Sequence, residues 1–311
     1  MNSENQGTPG RQSPAAAMLT ILASPVLRGP ALRCIATIFT KFFFLQYRAA
    51  LSPGLIPVTS VDHPLDAKVP FIPRWVDIYL DFVAFWIRIL GFLLKHYRRR
   101  ALGPVKDFLN SMTRLYYFAA EVYSKNMSTT HRPRYIARPR FFLIHLTDPH
   151  LMCIPSLHVM VMILSYTRFR QILRSFGDEE ALKEQIGEVN ARAALITEAI
   201  LFVKQHSVNC VAAAMYAMSR FDSWRGVPRY PESNTSKEQH TPAACGGVVD
   251  SLLFPPEEAE VFVAGLFRDT LPPADAALIR EHILALYRRF MAEGEGGGAW
   301  EEPLLGFLRG A

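Results

Sequence analysis

Prolines divide this chain into apolar runs of helical length, and this division constrains its fold more than any other feature. The stretch 52–73, SPGLIPVTSVDHPLDAKVPFIP, contains five prolines and predicts an extended connection. Apolar residues then recur at helical spacing, which predicts four helices. They run from near Arg74 to a break at LGPV (102–105), from about Lys106 to Lys125, near 156–174 and near 190–220. Strand signals are few, so the predicted class is mainly α, a helical bundle with extra C-terminal helices.

Four segments follow from the same divisions. Residues 1–60 are predicted to be a leader, without fixed structure to about residue 16, followed by an apolar segment. Residues 61–225 form the predicted helical core, and residues 226–250 a linker or long loop. In 251–311, two Pro-Pro steps followed by acidic residues are typical helix starts, so two or three amphipathic helices are expected there.

The charge balance limits the classes of partner. The formal net charge is +6 and the isoelectric point is near 9.2, which suits an anionic substrate or an anionic membrane surface. The basic residues are scattered and do not alternate with aromatic residues, so nucleic acid is not expected as a partner. None of the four cysteines has CxxC spacing, so neither a metal site nor another cofactor is predicted.

Membrane association is predicted, but the mode of association stays open. The longest apolar run, from Val76 to Leu94, contains Asp77, Asp81 and Arg88. Each charge at a helix centre costs roughly 2.5–3.5 kcal/mol on insertion into a bilayer. No segment reaches 18 uncharged, uninterrupted apolar residues. The alternatives are a helical protein lying on or partly in a membrane, and a soluble helical protein with an apolar core.

Three polar stretches carry candidate chemistry. In KNMSTTHRP (125–133), Lys125 and Arg132 could converge on one anion, the guanidinium binding two phosphate oxygens at once. In CIPSLH (153–158), Ser156 stands at a helix start whose free N–H groups attract anions, and His158 follows in the first turn. The third stretch is KQHSVNC (204–210), with His206. The alternative for each is structural: a solvated basic loop, an N-cap with an interface histidine, and a buried imidazole bonded to a carbonyl.

Taken together, the three stretches resemble the type 2 phosphatidic acid phosphatase superfamily. This superfamily also contains vanadium haloperoxidases, bacterial acid phosphatases and inositolphosphoryl transferases. KNMSTTHRP fits the first motif, KxxxxxxRP, at every defined position. PSLH fits the second, PSGH, except that Leu157 replaces glycine, and it looks like the variant in the inositolphosphotransferase branch. The third, SRxxxxxHxxxD, is matched only at His206; Ala199 and Ile200 replace Ser-Arg, and Cys210 replaces the aspartate. The resemblance covers roughly residues 75–220.

The resemblance implies a phosphatase of lipid or small-molecule phosphates that works through a phosphohistidine. The histidine matching His206 would attack phosphorus, and the one matching His158 would protonate the leaving oxygen. Lys125, Arg132 and Ser156 would bind the phosphate oxygens. No metal or cofactor is implied.

The departures in the third motif leave alternatives open. Positions 206 and 210 would share a face of one helix, where the family's aspartate holds the nucleophile's ring, and a thiol is a poor substitute. Asn209 or the more distant Glu198 could orient the ring instead, and Lys204 could replace the missing arginine. One alternative is a non-catalytic scaffold that binds phosphate or phospholipid. Another is an inositolphosphotransferase-like phosphotransferase. The last is a helical bundle with no anion site.

Overall fold

The protein is mainly α-helical in a computed structural model that describes residues 7–224 and 254–310, which confirms the predicted class. The predicted linker, 226–250, lies outside the described residues. The helices are α1 (Pro14–Ala23), α2 (Pro25–Ile38), α3 (Phe44–Leu51), α4 (Val76–Tyr97), α5 (Leu102–Tyr123), α6 (Pro139–Thr147), α7 (Leu157–Phe176), α8 (Lys183–Phe202), α9 (Val208–Phe221), α10 (Pro256–Gly265), α11 (Pro273–Gly294) and α12 (Glu302–Gly310). A five-residue π-helical turn, Phe39–Phe43, joins α2 to α3.

The helix ends follow local sequence signals. Proline stands in the first turn of α1, α2, α6, α10 and α11, where its missing N–H costs nothing. The Ser156 hydroxyl caps α7 by accepting from the Val159 N–H, and Ser207 caps α9 by accepting from the Asn209 N–H. Gly177, with φ 78°, ends α7 in the left-handed conformation that glycine adopts without strain.

The core is built around α7 and α9. Nearly every side chain of α9 is buried, and α9 packs on α7 and on α11. Helix α7 also contacts α4, α5 and α8, while the N-terminal helices α1 and α2 pack on α4 and α5 respectively. The C-terminal helix α11 is therefore part of the main core, in contact with the helix that follows His206.

A two-stranded parallel sheet brings the loops of the site together. Strand β1 (Val58–Ser60) pairs with β2 (Met127–Thr129), Val58 opposite Met127. Ser128 of β2 also holds the segment before α7, because its carbonyl accepts from the Cys153 N–H and its hydroxyl from the Ile154 N–H. The sheet thus connects the KNMSTTHRP stretch to the start of α7.

Several predicted elements differ from the structure. Residues 190–220 form parts of two helices, α8 and α9, and the chain turns at 203–207. Helix α5 begins at Leu102 rather than near Lys106, because Pro104 lies in its first turn, where proline is tolerated. The leader has structure from Pro9 onward: a 3₁₀ turn, Pro9–Arg11, precedes α1 and packs on α4 and α8.

The length and apolarity of the helices bear on membrane insertion. Within 7–224 and 254–310, no single helix is both long and apolar enough to cross a bilayer. The segments Pro14–Ala23 and Pro25–Leu51 meet the criterion only as a pair, and they are bent by 115° to each other. The Val76–Leu94 run lies in α4, which buries most of its apolar face in the protein core.

Candidate functional site

Three of the predicted site residues converge, although they lie up to 50 positions apart in the sequence. His158 is in the first turn of α7 and His206 is in the turn between α8 and α9. The His206 Nε2 lies 3.2 Å from the His158 Nδ1 and 3.4 Å from the Ser156 Oγ. All three residues lie at or just before the first turn of a helix. The N-terminal ends of α7 and α9 therefore meet at this point.

The turn that carries His206 is held in place by Lys204. Lys204 has φ 55°, a conformation that non-glycine residues rarely adopt, so its position depends on tertiary contacts. Its ammonium group donates to the carbonyl oxygens of Asp66 and Val69. Lys204 therefore anchors the turn to the proline-rich connection and does not point to the histidine pair.

Arg132 contacts Gln205, which precedes His206 of the histidine pair in the chain. One guanidinium nitrogen donates to the Gln205 Oε1 at 3.2 Å, and another donates to the Asp148 carbonyl at 3.2 Å. The Asp148 carboxylate is 3.7 Å from the guanidinium. Gln205 precedes His206 in the chain, so Arg132 contributes positive charge beside the pair, partly balanced by Asp148.

Lys125 is not brought to the histidine pair. Its ammonium binds the Glu301 carboxylate at 2.6 Å, just before α12. The Tyr123 hydroxyl, two residues earlier, donates to the Pro155 carbonyl at the start of the site. Lys125 stands in the turn after the last residue of α5, and its side chain reaches the segment before α12 instead of the start of α7.

A small cavity lies beside the two histidines. Its volume is about 20 Å³, enough for one water molecule and too small for a phosphate group. Its polar lining comes from five elements: Gln46 of α3, Tyr79 of α4, Asp148, His150 and Cys153 of the segment before α7, His158 of α7, and Gln205 and His206 of the turn before α9. The rings of Tyr79 and Phe82 pack on the His158 ring, with centroids 4.8 and 4.3 Å away.

The His158 ring is neutral near pH 7. Burial, together with the neighbouring His206 ring, lowers the pKa of His158 well below its ordinary value. The hydrogen bond between Nδ1 of His158 and Nε2 of His206 needs one donor and one acceptor, and a neutral His158 ring can take either part. To act as a general acid, His158 would have to acquire a proton with the substrate.

Cys153 and His150 form a second polar pair in the same cavity. The Cys153 sulfur is 3.8 Å from the His150 Nε2, which also lies 2.9 Å from the Thr130 hydroxyl. Burial alone would raise the pKa of Cys153, but the contact with Cys210 and the adjacent His150 ring bring that pKa well below its ordinary value. His150 has φ 61°, so this segment too is held in a strained conformation.

None of the expected substitutes for the missing aspartate orients His206. Because His206 precedes the first turn of α9, it does not share a helix face with position 210, contrary to the prediction; Cys210 contacts Cys153. Asn209 is bonded to His282 at 2.7 Å and to the Val61 carbonyl at 3.2 Å. Glu198 accepts from the Phe267 N–H and the Thr270 hydroxyl. The His206 Nδ1 is buried and has no hydrogen-bond partner among the described residues.

Five further residues of the site were not predicted from the sequence: His150, Cys153, Asp148, Gln205 and Tyr79. A signal was present for two of them, since His150 and Cys153 stand just before the Pro155–His158 motif. The sequence around Tyr79 does not indicate a role in the site, because only the packing of α4 on α7 brings Tyr79 to His158. In the part of the chain that the structure describes, no group of three or more His, Cys, Asp or Glu residues could hold a metal ion.

Comparisons with protein-family models, with curated proteins and with solved structures find no match to this chain.

Proposed function

We propose that the protein is a phosphatase acting on a lipid or small-molecule phosphate ester through a phosphohistidine intermediate. The observation that carries this proposal is the 3.2 Å contact between His206 and His158, two histidines from separate helix starts. A nucleophile and a proton donor at such a distance can act on the same phosphoryl group. The resemblance of the three sequence stretches to the phosphatidic acid phosphatase superfamily supports the same reaction.

The proposed reaction has two steps. His158 first takes a proton from the bound phosphate ester. The Nε2 of His206 then attacks phosphorus, the bond from phosphorus to the leaving oxygen breaks, and His158 gives that oxygen the proton. Water then attacks the phosphohistidine, loses a proton to His158 and releases inorganic phosphate. Arg132 and the free N–H groups at the start of α7, beside Ser156, stabilise the negative charge of the transferring group. Substrate must separate the two imidazole rings, because the present cavity holds only about one water molecule.

Hydrolysis of para-nitrophenyl phosphate and dioctanoyl phosphatidic acid tests this proposal. We expect the wild-type protein to release phosphate and vanadate to inhibit it. His206→Ala and His158→Ala should each lower the rate by at least about a thousandfold, as removal of residues that act as a unit does. His96→Ala, which changes an exposed histidine at the end of α4, is the matched control. A rate unchanged in folded His206→Ala protein contradicts the proposal.

A second candidate is a scaffold of the same type that binds phosphate or phospholipid without turnover. The observations that favour it are the His206 Nδ1, which has no partner among the described residues, the small cavity and the pairing of Lys125 with Glu301. Binding of dioctanoyl phosphatidic acid without a phosphohistidine, in samples quenched in alkali, would favour this candidate. An inositolphosphotransferase-like reaction would instead form a new phosphodiester when an alcohol acceptor is added.

We also propose that the protein is membrane-associated. The N-terminal helices expose a series of large apolar side chains that a water-facing surface does not need. They are Leu19, Val26, Leu32, Phe39, Phe44, Tyr47 and Leu51, each with more than a third of its surface exposed. Arg28, Arg33 and Arg48 lie on the same helices and suit an anionic surface.

A further inference from the structure

A larger cavity lies between α4 and α8, away from the histidine pair. Its volume is about 620 Å³, within the range of sites for small molecules. The 3₁₀ turn Pro9–Arg11 borders it, and none of its lining residues lines the histidine cavity. It therefore needs an explanation that is independent of the proposed function.

One end of this cavity carries an excess of positive charge. Arg88 and Arg192 both donate to the same carboxylate oxygen of Asp81, at 2.5 and 2.7 Å. Arg88 and Asp81 are only 14% and 16% exposed, whereas the Arg192 side chain is 37% exposed, so the group extends from the interior to solvent. Two guanidinium groups against one carboxylate leave one positive charge unbalanced, and the Arg88 Nε is buried without a partner among the described residues. This end favours an anion.

A negative charge stands one helical turn away. Glu188 precedes Arg192 by four residues on α8, a spacing at which glutamate and arginine commonly pair. Here the Arg192 guanidinium donates to Asp81 instead of Glu188, and the Glu188 Oε1 accepts from the Gly10 N–H at 3.0 Å. The other oxygen, Oε2, is buried and has no partner within the described residues. This second end favours a cationic hydrogen-bond donor.

The rest of the cavity lining is mostly apolar. Phe85, Ile89, Val189 and Leu195 contribute to the lining, and the first three are buried in the protein. An apolar body placed against them loses contact with water, while its charged groups reach the two ends.

We propose that this cavity binds a small zwitterion with an apolar body, its anionic group between Arg88 and Arg192 and its ammonium group on Glu188. Apolar α-amino acids and short-chain phosphatidylethanolamine share this chemistry. A simple anion would leave the Glu188 carboxylate unpaired, and a simple amine would leave the guanidinium pair unbalanced, so each should bind more weakly.

Thermal unfolding of the full-length protein tests the proposal with four compounds. They are L-phenylalanine, dihexanoyl phosphatidylethanolamine, 3-phenylpropionate, which lacks the ammonium group, and phenethylamine, which lacks the carboxylate. We expect at least one of the two zwitterions, at up to about 10 mM, to raise the melting temperature. The zwitterion that raises the melting temperature, phenylalanine or the lipid, identifies the source of the ligand. The singly charged compounds should bind at least about tenfold more weakly, because each lacks one charged hydrogen bond.

Variants locate the binding to this cavity. Glu188→Gln and Arg192→Gln should each weaken binding of the effective zwitterion by about tenfold or more. Glu184→Gln, an exposed change one turn earlier on α8, should leave it unchanged. Circular dichroism and the melting temperature without ligand show whether each variant folds. The proposal is overturned if neither zwitterion stabilises the wild type, if 3-phenylpropionate or phenethylamine binds as tightly as the effective zwitterion, or if folded Glu188→Gln and Arg192→Gln bind like the wild type.

Discussion

His206 uses one ring nitrogen for the candidate site and leaves the other without a partner. The Nε2 contacts His158 and Ser156, while the buried Nδ1 faces no hydrogen-bonding group among the described residues. A histidine nucleophile is most effective when a neighbour fixes its ring and tautomer. At the residue scale, whether a group orients the His206 ring therefore decides between the two proposed functions, a phosphatase and a scaffold that only binds phosphate.

Introducing an aspartate at position 210 should not supply that group. Cys210 is fully buried and burial raises the pKa of its thiol well above the ordinary value, so a carboxylate there would also be desolvated. We expect Cys210→Asp to lose about 2 kcal/mol or more of unfolding free energy in urea, with no gain in phosphatase rate. Cys210→Ala is the control for loss of the thiol. A tenfold faster Cys210→Asp variant would show that position 210 does reach His206.

His282 should make the protein less stable in acid. Burial, together with the adjacent His63 ring, lowers the pKa of His282 to about 4, against about 6.5 in the unfolded chain. Between those values the unfolded chain binds a proton that the folded protein does not, so stability is full above pH 6.5 and is lost as pH falls toward 4. We expect the melting temperature of His282→Gln to fall less over this range than that of the wild type.

The glutamine variant keeps an N–H donor for Asn209, whose side-chain oxygen accepts from His282 at 2.7 Å. His96→Gln, at an exposed site, controls for removal of any histidine. Equal losses of melting temperature in wild type and His282→Gln would refute the assignment to His282.

At the element scale, the sequence predicted helices where periodicity and caps agreed, as in α7 and α11. It missed α6 and both strands, because segments of three to nine residues carry too little pattern. It also missed the turn at 203–207, since the apolar residues around it continue a helical spacing and only the contacts of Lys204 show the break. The same limit applies to the site: Ser156, His158 and His206 converge as their motifs suggested, whereas the direction of Lys125 depends on where α12 docks.

Replacement of two helical glycines by alanine should have opposite effects on the free energy of unfolding. Gly187 of α8 is exposed and a Cβ there would meet nothing within 4 Å, so Gly187→Ala should stabilise the protein by about 0.5–1 kcal/mol. A Cβ on Gly91 of α4 would lie 2.7 Å from the Ala17 Cβ, which is fixed to the backbone of α1. Gly91→Ala should therefore cost about 1–3 kcal/mol. Urea unfolding of both variants checks the pair, and similar stabilities would mean that α1 does not pack closely on α4.

At the scale of the whole molecule, most of the large apolar side chains that are exposed among the described residues lie on the N-terminal helices or around α6. In the N-terminal region, Phe39 and Phe44 are 60% and 66% exposed at the π-helical turn that joins α2 to α3. If this region contacts a bilayer, Phe39→Asp/Phe44→Asp should reduce sedimentation with phosphatidylcholine–phosphatidylglycerol vesicles by at least about tenfold, since each buried phenylalanine contributes roughly 1.5–3 kcal/mol. Val261→Asp changes a similarly exposed residue on α10 and should have no effect. Equal loss in both variants would indicate that charge alone, and not this region, governs binding.

The carboxylate of Glu121 on α5 accepts from the indole N–H of Trp224 at 3.0 Å and of Trp300 at 2.6 Å, and the Trp300 ring stacks on Phe118. Trp300 is 179 residues away from Glu121 along the chain. Contacts between such distant positions close a long loop, and proteins dominated by them fold slowly. Two of the four tryptophans thus meet at a contact that closes a long loop, and we expect their fluorescence to change late in refolding.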